Sequence, residues 1–425
     1  MILIKSINYM IFKTLIKEIL IVTLLILSCI SCPGQKVETG LEVLAAGNFK
    51  ELQGKRVGLI TNPTGIDRNL RSAIDILFNA KNVRLTALYS PEHGIRGEFT
   101  AGESVSSVSD QVTGLPVYSL YGKTRKPTPE MLKGIDVLVY DIQDIGSRSY
   151  TFISTLGLAM EAAAENNIEF IVLDRPNPLG GIRMEGPLTK PEFISFVSQF
   201  PIPYIHGMTV GELAIFLNGE GLLKNGIKCK LRVIKMNGWM REMLFAETGL
   251  HWVPSSPHIP HAQSTLYYPA TGIFGELYVA SIGVGYTLPF QLFASEWFDA
   301  DSLSRNLNSL RLPGLIFRPI HYKPYYSVSS GKMVQGVQIH ITDPASAPLS
   351  LIQFYIMQEA HKLWPEKDIF SMCDKARLEM FDKVCGTDQV RIEFTKTYSV
   401  SSILSLWNDE IPAFRKKAEK YFLYK

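Results

Sequence analysis

A glutamate and a histidine stand side by side in the segment LTALYSPEHGIRGE, residues 85–98, within a turn marked by a proline and a glycine. The apolar, β-prone residues before the turn predict a buried strand. A carboxyl group at the end of such a strand loses solvation, which favours the protonated form that a general acid needs. We therefore predict that Glu92 is a catalytic acid or base. We expect His93 to assist it and Arg96 to belong to its hydrogen-bonding surroundings.

Further carboxylates follow other predicted strands. Asp141 and Asp144 come after the run VLVY, Asp174 follows FIVL, and Glu185 lies shortly downstream. Glycoside hydrolysis requires an acid for the leaving oxygen and a second group that acts at the anomeric carbon. We expect Asp141 and Asp144 to serve beside Glu92. The alternative is that the aspartates cap helices or pair with neighbouring arginines.

Arginines in the same loops could bind an acidic sugar. A guanidinium group grips a carboxylate with two parallel hydrogen bonds, and Arg125, Arg148 and Arg175 are available. The alternative is internal pairing, especially for Arg175, which adjoins Asp174. Aromatic faces that could stack on a sugar, or simply pack in the core, belong to Tyr118, Tyr121 and Trp252.

Metal and nucleotide chemistry have little support in the sequence. His258 and His261 are three positions apart, but the proline between them excludes a regular helix, and nothing fixes their spacing to His93. No phosphate-binding loop and no dinucleotide glycine motif follows a first strand. We predict no metal and no cofactor, and keep a metal-dependent amidase or deacetylase as an alternative.

Apolar strand-like runs alternate with helical patterns over the first two thirds of the chain. The runs are continuously apolar, as in parallel strands covered on both faces, so we predict an α/β fold with a Rossmann-like parallel sheet. Polar loops follow the strands and should meet in a broad cleft at the carboxyl edge of the sheet. The predicted strands are 56–60, 83–90, 137–140, 170–173 and 229–234, and the predicted helices are 70–80, 151–165 and 209–218.

The pattern changes in the last third. Residues 249–271 are rich in Pro, His, Ser and Tyr and predict a long ordered loop. Beyond them we expect a smaller α/β C-terminal domain. Its predicted helices are 301–310 and 349–363, and its predicted strands are 315–321 and 336–341.

The first 35 residues have the composition of an export signal. Lysines precede the apolar run 19–27, which is too short to span a bilayer and ends in small residues. Cys29 and Cys32 each follow a serine, as the acylated cysteine of a bacterial lipoprotein signal does, so either could carry a lipid anchor. A plain cleaved signal is the alternative.

Composition limits the partners and the redox chemistry. A net charge of +3 and the absence of a basic stripe argue against nucleic acid as a partner. Beyond the signal the cysteines are Cys229, Cys373 and Cys385. We expect buried free thiols, with one disulfide between Cys373 and Cys385 as the alternative.

Several long motifs follow one another along the chain. They are GLITNPTG at 58–65, SPEHGIRGE at 90–98, TGLPVYSLYG at 113–122, DIQDIGSRSYTFISTL at 141–156, LDRPNPLGG at 173–181 and HGMTVGELA at 206–214. Together they resemble the NamZ family of exo-acting β-N-acetylmuramidases, in particular its Bacteroidetes members. The resemblance implies a Rossmann-like catalytic domain, which we place at 38–288, and an accessory domain at 289–425. It also implies that the glutamate of the SPEHG motif, Glu92, is catalytic.

The implied activity is release of N-acetylmuramic acid from the non-reducing end of peptidoglycan fragments, in the periplasm or cell envelope. The partners would be muropeptides and disaccharides. A non-catalytic, muropeptide-binding lipoprotein is the alternative. The residues that we expect to bind substrate are Asn62, Arg96, Arg148, Arg175, Asn177, Glu185 and His206.

Overall fold

The computed structural model describes Lys17 and residues 36–92, 94–97 and 108–425. The predicted export signal and the lipid-anchor cysteines lie outside the described residues, as does His93. Within the described part, no helix combines the length and apolar composition needed to cross a membrane.

A seven-stranded sheet organises the first part of the chain. Its strand order is β3-β4-β2-β1-β5-β6-β7, and all neighbours are parallel except the pair β3–β4. The six parallel strands thus have the order of a doubly wound sheet. The order in which the chain adds strands to the sheet reverses between β1 and β5. The strands are β1 (Arg56–Thr61), β2 (Arg84–Ser90), β3 (Val108–Ser109), β4 (Pro116–Ser119), β5 (Val137–Asp141), β6 (Glu169–Leu173) and β7 (Lys230–Ile234).

Helices cover both faces of this sheet, which is why its strands are apolar throughout. In β5, Val137 and Val139 pack on one face, whereas Leu138 and Tyr140 pack on the other. Helices α1 and α2 cover the first face, and α3 and α4 the second. These helices are α1 (Gly40–Ala46), α2 (Ala73–Asn79), α3 (Phe152–Glu165) and α4 (Val210–Gly219).

A smaller unit follows, built on a three-stranded antiparallel sheet of order β8-β10-β9. All of its helices but the last share one large apolar core with that sheet, whereas the last helix packs against the core of the large sheet. The strands are β8 (Leu292–Ser295), β9 (Leu315–Tyr322) and β10 (Val334–Ile341). The helices are α5 (Ser264–Gly275), α6 (Ala300–Ser309), α7 (Ile352–Leu363), α8 (Lys375–Cys385), α9 (Gln389–Thr397), α10 (Leu404–Asn408) and α11 (Ile411–Ala418).

Short 3₁₀ helices complete the secondary structure. They are Lys50–Leu52, Pro191–Phe193, Lys224–Gly226, Phe245–Glu247, Leu349–Leu351, Val400–Ser402 and Glu419–Tyr421.

The α/β class and the smaller second unit are confirmed, with one correction to the elements. The end of the predicted loop 249–271 is helical, because α5 begins at Ser264 and accommodates Pro269 within it. The described cysteines are all free thiols, so the disulfide alternative is wrong in this structure.

Residues 422–425 return from the small unit to the large sheet. Leu423 N donates to Glu212 Oε1 at 2.8 Å, and the Tyr424 hydroxyl donates to Asp174 Oδ2 at 2.6 Å. Arg241, ion-paired with Glu212 at 2.6 Å, lies 3.4 Å from the ring of Phe422. This tail therefore completes a buried polar network at the edge of the sheet.

Candidate active site

A cleft of about 610 Å³ lies between the large sheet and the small unit. From the sheet side its lining includes Glu92, Tyr121, Arg125, residues 149–152 and residues 195–197. From the small unit the lining includes His258, Tyr268, Glu276, Tyr278, Ser327, Val328, Met380 and Lys383. Its volume is within the ordinary range for small-molecule sites.

Glu92 reaches the cleft from the end of β2. The Thr151 hydroxyl donates to its Oε2 at 3.2 Å. Thr151 is also the N-cap residue of α3 but makes no side-chain cap, so its hydroxyl orients the carboxylate instead. Burial raises the pKa of Tyr121 to about 12, and the adjacent Glu92 carboxylate adds to that shift. Glu92 is thus held by two hydroxyl groups at the cleft wall.

Glu276 is a second carboxyl group in the cleft, and the sequence analysis missed it. It directly follows α5, where the exposed carbonyls of the helix end disfavour a negative charge. Burial raises its pKa, and the guanidinium of Arg377 opposes that shift. The cleft therefore contains two carboxyl groups in different surroundings, Glu92 with hydroxyl donors and Glu276 at the end of a helix.

Two cations at the cleft have no carboxylate partner among the described residues. The Arg125 guanidinium lies 4.4 Å from the ring centroid of Phe196 and is exposed to solvent. Lys383, on α8, lines the opposite wall. An anionic group of a ligand in the cleft could therefore pair with Arg125 or Lys383.

Arg148 does not line the cleft, so the structure does not support it as a substrate ligand. It is fully buried and donates to four backbone carbonyl oxygens, those of Pro187, Ile202, Val384 and Cys385, at 2.6–3.0 Å. Its fifth bond reaches Ser198 Oγ at 3.2 Å. Burial lowers its pKa to about 10.

The same side chain joins the two units. Val384 and Cys385 end α8, whereas Arg148 belongs to the loop that supplies residues 149–152 to the cleft. Gly386 follows with φ of 89°, and a Cβ there would lie 2.6 Å from Arg148 Nη2. By bonding to both units, Arg148 holds the two walls of the cleft in position.

Asp141 and Arg175 neutralise each other below the cleft. Arg175 Nε and Nη2 donate to the two carboxylate oxygens of Asp141 at 2.6 and 2.9 Å. Burial raises the pKa of Asp141, and Arg175 opposes that shift. The alternative of internal pairing is correct for Arg175, but its partner is Asp141 rather than Asp174. Neither residue is placed to act on a ligand in the cleft.

Asp144 and His206 form a second buried pair away from the cleft lining. His206 Nδ1 accepts from Met208 N at 3.3 Å, so its proton belongs on Nε2, which lies 3.6 Å from Asp144 Oδ2. Gly146 N donates to the same oxygen at 2.7 Å. Within the described part of the chain, neither Asp144 Oδ1 nor His206 Nε2 has a hydrogen-bond partner.

The other predicted ligands serve the surrounding loops. Asn62 accepts from Thr64 N at 3.0 Å, and Asn177 donates to Met208 O at 3.0 Å. Arg96 pairs with Asp110 at 2.7 Å.

Glu185 faces another part of the molecule. It accepts from Ser350 N and Oγ at 2.9 and 2.6 Å and lines a separate cavity of about 630 Å³. Of the described residues that the sequence predicted to catalyse or bind, only Glu92 lines the cleft, together with the candidates Tyr121 and Arg125. The described residues also contain no group of three metal-ligating side chains that could hold an ion.

Comparisons with known proteins agree with this architecture. The family models described as "Exo-beta-N-acetylmuramidase NamZ", N-terminal and C-terminal, match residues 57–263 and 266–424. The chain is 44% identical to the peptidoglycan β-N-acetylmuramidase NamZ of Bacillus subtilis over 389 residues, covering 92% of each chain.

Two crystal structures of DUF1343 family proteins from Bacteroides fragilis are also similar. One is 57% identical with a TM-score of 0.89, covering 92% of this chain and all of that one. The other is 27% identical with a TM-score of 0.74, covering 92% of this chain and 99% of that one.

The family models and the curated relative identify the class of the protein as a glycoside hydrolase. The chain belongs to the NamZ family of exo-β-N-acetylmuramidases. The predicted family and enzyme class are confirmed.

Proposed function

We propose that this protein removes N-acetylmuramic acid from the non-reducing ends of peptidoglycan fragments, with Glu92 as general acid and base. The observation that carries the proposal is the position of Glu92 at the cleft wall, where the Thr151 hydroxyl orients its carboxylate. Family membership and the activity named for the Bacillus subtilis relative supply the substrate class.

The chemistry follows from the cleft. Glu92 gives its proton to the leaving oxygen while the 2-acetamido oxygen of the substrate attacks the anomeric carbon, which makes a carboxylate nucleophile unnecessary. Glu92 then takes a proton from the water that opens the cyclic intermediate. A second carboxylate is needed to orient the acetamide N–H. Asp141, Asp144 and Glu185, the carboxylates that the sequence offered for the site, do not line the cleft, so we assign this role to Glu276.

The lactyl carboxylate distinguishes muramic acid from N-acetylglucosamine. Because Arg148 and Arg175 are occupied inside the protein, we assign its recognition to Arg125 at the cleft. The assignment rests on a cation in the cleft that has no carboxylate partner among the described residues.

Location and domain division are also part of the proposal. We propose that residues 1–35 export the chain to the periplasm, either as a cleaved protein or as a lipoprotein anchored through Cys29 or Cys32. We further propose that residues 38–288, which include helix α5 and Glu276 of the small unit, supply the catalytic groups and that residues 289–425 act as an accessory domain. Cell fractionation that left the mature protein in the cytoplasm would contradict the export step.

A chromogenic β-N-acetylmuraminide tests the central claim. Glu92→Gln should lower the rate by at least about 10²–10⁴-fold, with sugar binding and melting temperature retained. Glu130→Gln, which changes an exposed carboxylate away from the cleft, is the matched control. Activity of the Glu92 variant within a few-fold of wild type would remove Glu92 from this role.

Three further measurements separate the rival mechanisms. Nuclear magnetic resonance of the first-formed sugar should show the β anomer, and an α anomer would mean direct attack by water with inversion. Wild-type protein that binds muropeptides without turnover would be the non-catalytic binder. Loss of activity on treatment with EDTA would favour a metal-dependent enzyme.

A further inference from the structure

The loop that joins β9 to β10, residues 323–333, exposes large side chains beside the cleft. Tyr325 is 74% exposed, Met333 63% and Tyr326 53%. Clustered exposure of apolar surface on a folded protein marks a place where something binds.

Backbone hydrogen bonds hold this loop in one shape. Tyr325 N donates to Gly285 O at 2.8 Å, and Gly331 N donates to Pro324 O at 2.9 Å. Ser327 adopts a left-handed φ of 69°, a conformation that costs energy for any residue with a side chain. The loop is thus already ordered before a ligand binds. Little binding free energy would therefore be needed to order the loop.

The exposed rings are supported from behind. The Tyr286 ring packs on the buried ring of Tyr322 with centroids 4.6 Å apart, and the Tyr325 ring is stacked on Tyr286 at 6.0 Å and 25°. We call Tyr286, Tyr325 and Tyr326 the tyrosine platform. The ring of Tyr326 lies 6.1 Å from that of His258, which lines the cleft.

The platform is continuous with the cleft. Ser327 and Val328 of the same loop line the cleft, and the Tyr326 hydroxyl lies 2.9 Å from Nε2 of His258, another cleft residue. A ligand that extends out of the cleft on this side would contact the tyrosine platform.

We propose that the tyrosine platform binds the sugars on the leaving-group side of the scissile bond. The inference rests on the proposed function. An exo-acting enzyme holds a single sugar on the non-reducing side of the bond that it cleaves. Any sugar bound outside the cleft therefore belongs to the leaving chain. The ring face of a pyranose carries slightly positive C–H groups, which match the negative face of an aromatic ring. The ligand class is therefore an unbranched glycan of alternating amino sugars, at least two residues beyond the cleaved bond.

Substrates of different length test the platform. The three substrates are an aryl β-N-acetylmuraminide, a peptide-free tetrasaccharide with muramic acid at its non-reducing end, and the same tetrasaccharide carrying stem peptides. Tyr325→Ala and Tyr326→Ala should leave kcat/KM for the aryl glycoside unchanged. They should lower kcat/KM for the peptide-free tetrasaccharide by about 3- to 10-fold, through KM, as the loss of one aromatic stacking contact implies. Phe78→Ala, which removes a 43% exposed ring from α2, is the control.

Each other outcome overturns the proposal in a distinct way. Equal losses on the aryl glycoside and the tetrasaccharide would mean that the loop only shapes the cleft. A loss confined to the peptide-bearing substrate would assign the platform to the stem peptide. Unchanged rates on both tetrasaccharides would refute a binding role. Absence of turnover by the wild type on all three substrates would refute the proposed function, and the platform with it.

Discussion

Arg148 allows a structural role to be separated from a recognition role. Replacing it with methionine keeps most of the volume but removes all five donated hydrogen bonds. Four buried carbonyl oxygens then lose a donor, at about 1–3 kcal/mol each. The methionine variant no longer buries a charge, and this gain in stability offsets part of that loss. The fall in the pKa of Arg148 from 12.5 to about 10 corresponds to roughly 3 kcal/mol.

The balance is a loss on the order of 5 kcal/mol in the free energy of unfolding. For a chain of 425 residues, each kcal/mol lowers the melting temperature by about 1 °C. Arg148→Met should therefore melt about 5 °C below wild type.

Thermal unfolding and kinetics on paired substrates check this together. The folded variant should keep its preference for the β-N-acetylmuraminide over the β-N-acetylglucosaminide, because the Arg148 guanidinium does not reach the cleft. The reasoning fails if the variant melts with the wild type and loses that preference instead.

The remaining predictions concern the cleft and the pH dependence of stability. Arg125→Met should lower kcat/KM for the muraminide by about 10- to 100-fold, the value of one charge-assisted hydrogen bond, and leave the glucosaminide unchanged; equal losses would contradict a role in reading the lactyl group. Glu276→Gln should lower kcat by about 100-fold or more with no fall in melting temperature, whereas unchanged kcat would exclude it from catalysis. Burial raises the pKa of Asp174 to about 7 in the folded protein, above the value of about 3.9 in an unfolded chain. Its stabilising contribution is therefore complete below about pH 4 and is lost as the pH rises through 7. Asp174→Asn, which cannot ionise, should show a smaller drop in melting temperature between pH 5 and pH 8 than wild type, and an equal drop would refute the assignment.

The large sheet could be predicted because its signal is local. Continuous apolar runs such as 137–140 are long enough to mark buried parallel strands, and the structure places β5 at Val137–Asp141. Helix α5 was missed because Pro269 and the surrounding His and Ser residues are typical of loops. Packing of Tyr267, Ile273 and Phe274 into the small unit's core overrides that local preference.

The site was predicted only where the chain itself points into the cleft. The turn after β2 carries Glu92 to the cleft wall, as the sequence indicated. The sequence also showed that Asp141 ends a strand, but not that Arg175 from the next strand end would reach across to it. No sequence motif marks Glu276. It reaches the cleft only because the end of α5, which belongs to the small unit, lies at the cleft wall. Such long-range contacts leave no pattern in a single sequence.

The returning tail, residues 422–425, has a consequence for the order of folding. Glu212, in the first turn of α4, receives one of its hydrogen bonds from Leu423, and the carboxyl group of Asp174 receives one from Tyr424. A ribosome must therefore finish nearly the whole chain before these buried groups obtain all their partners. Until then Glu212 and Asp174 lack the donors that the tail supplies, although every strand of the large sheet has already been made. A chain shortened by the tail would retain every strand of that sheet yet leave buried acceptors unsatisfied at its edge.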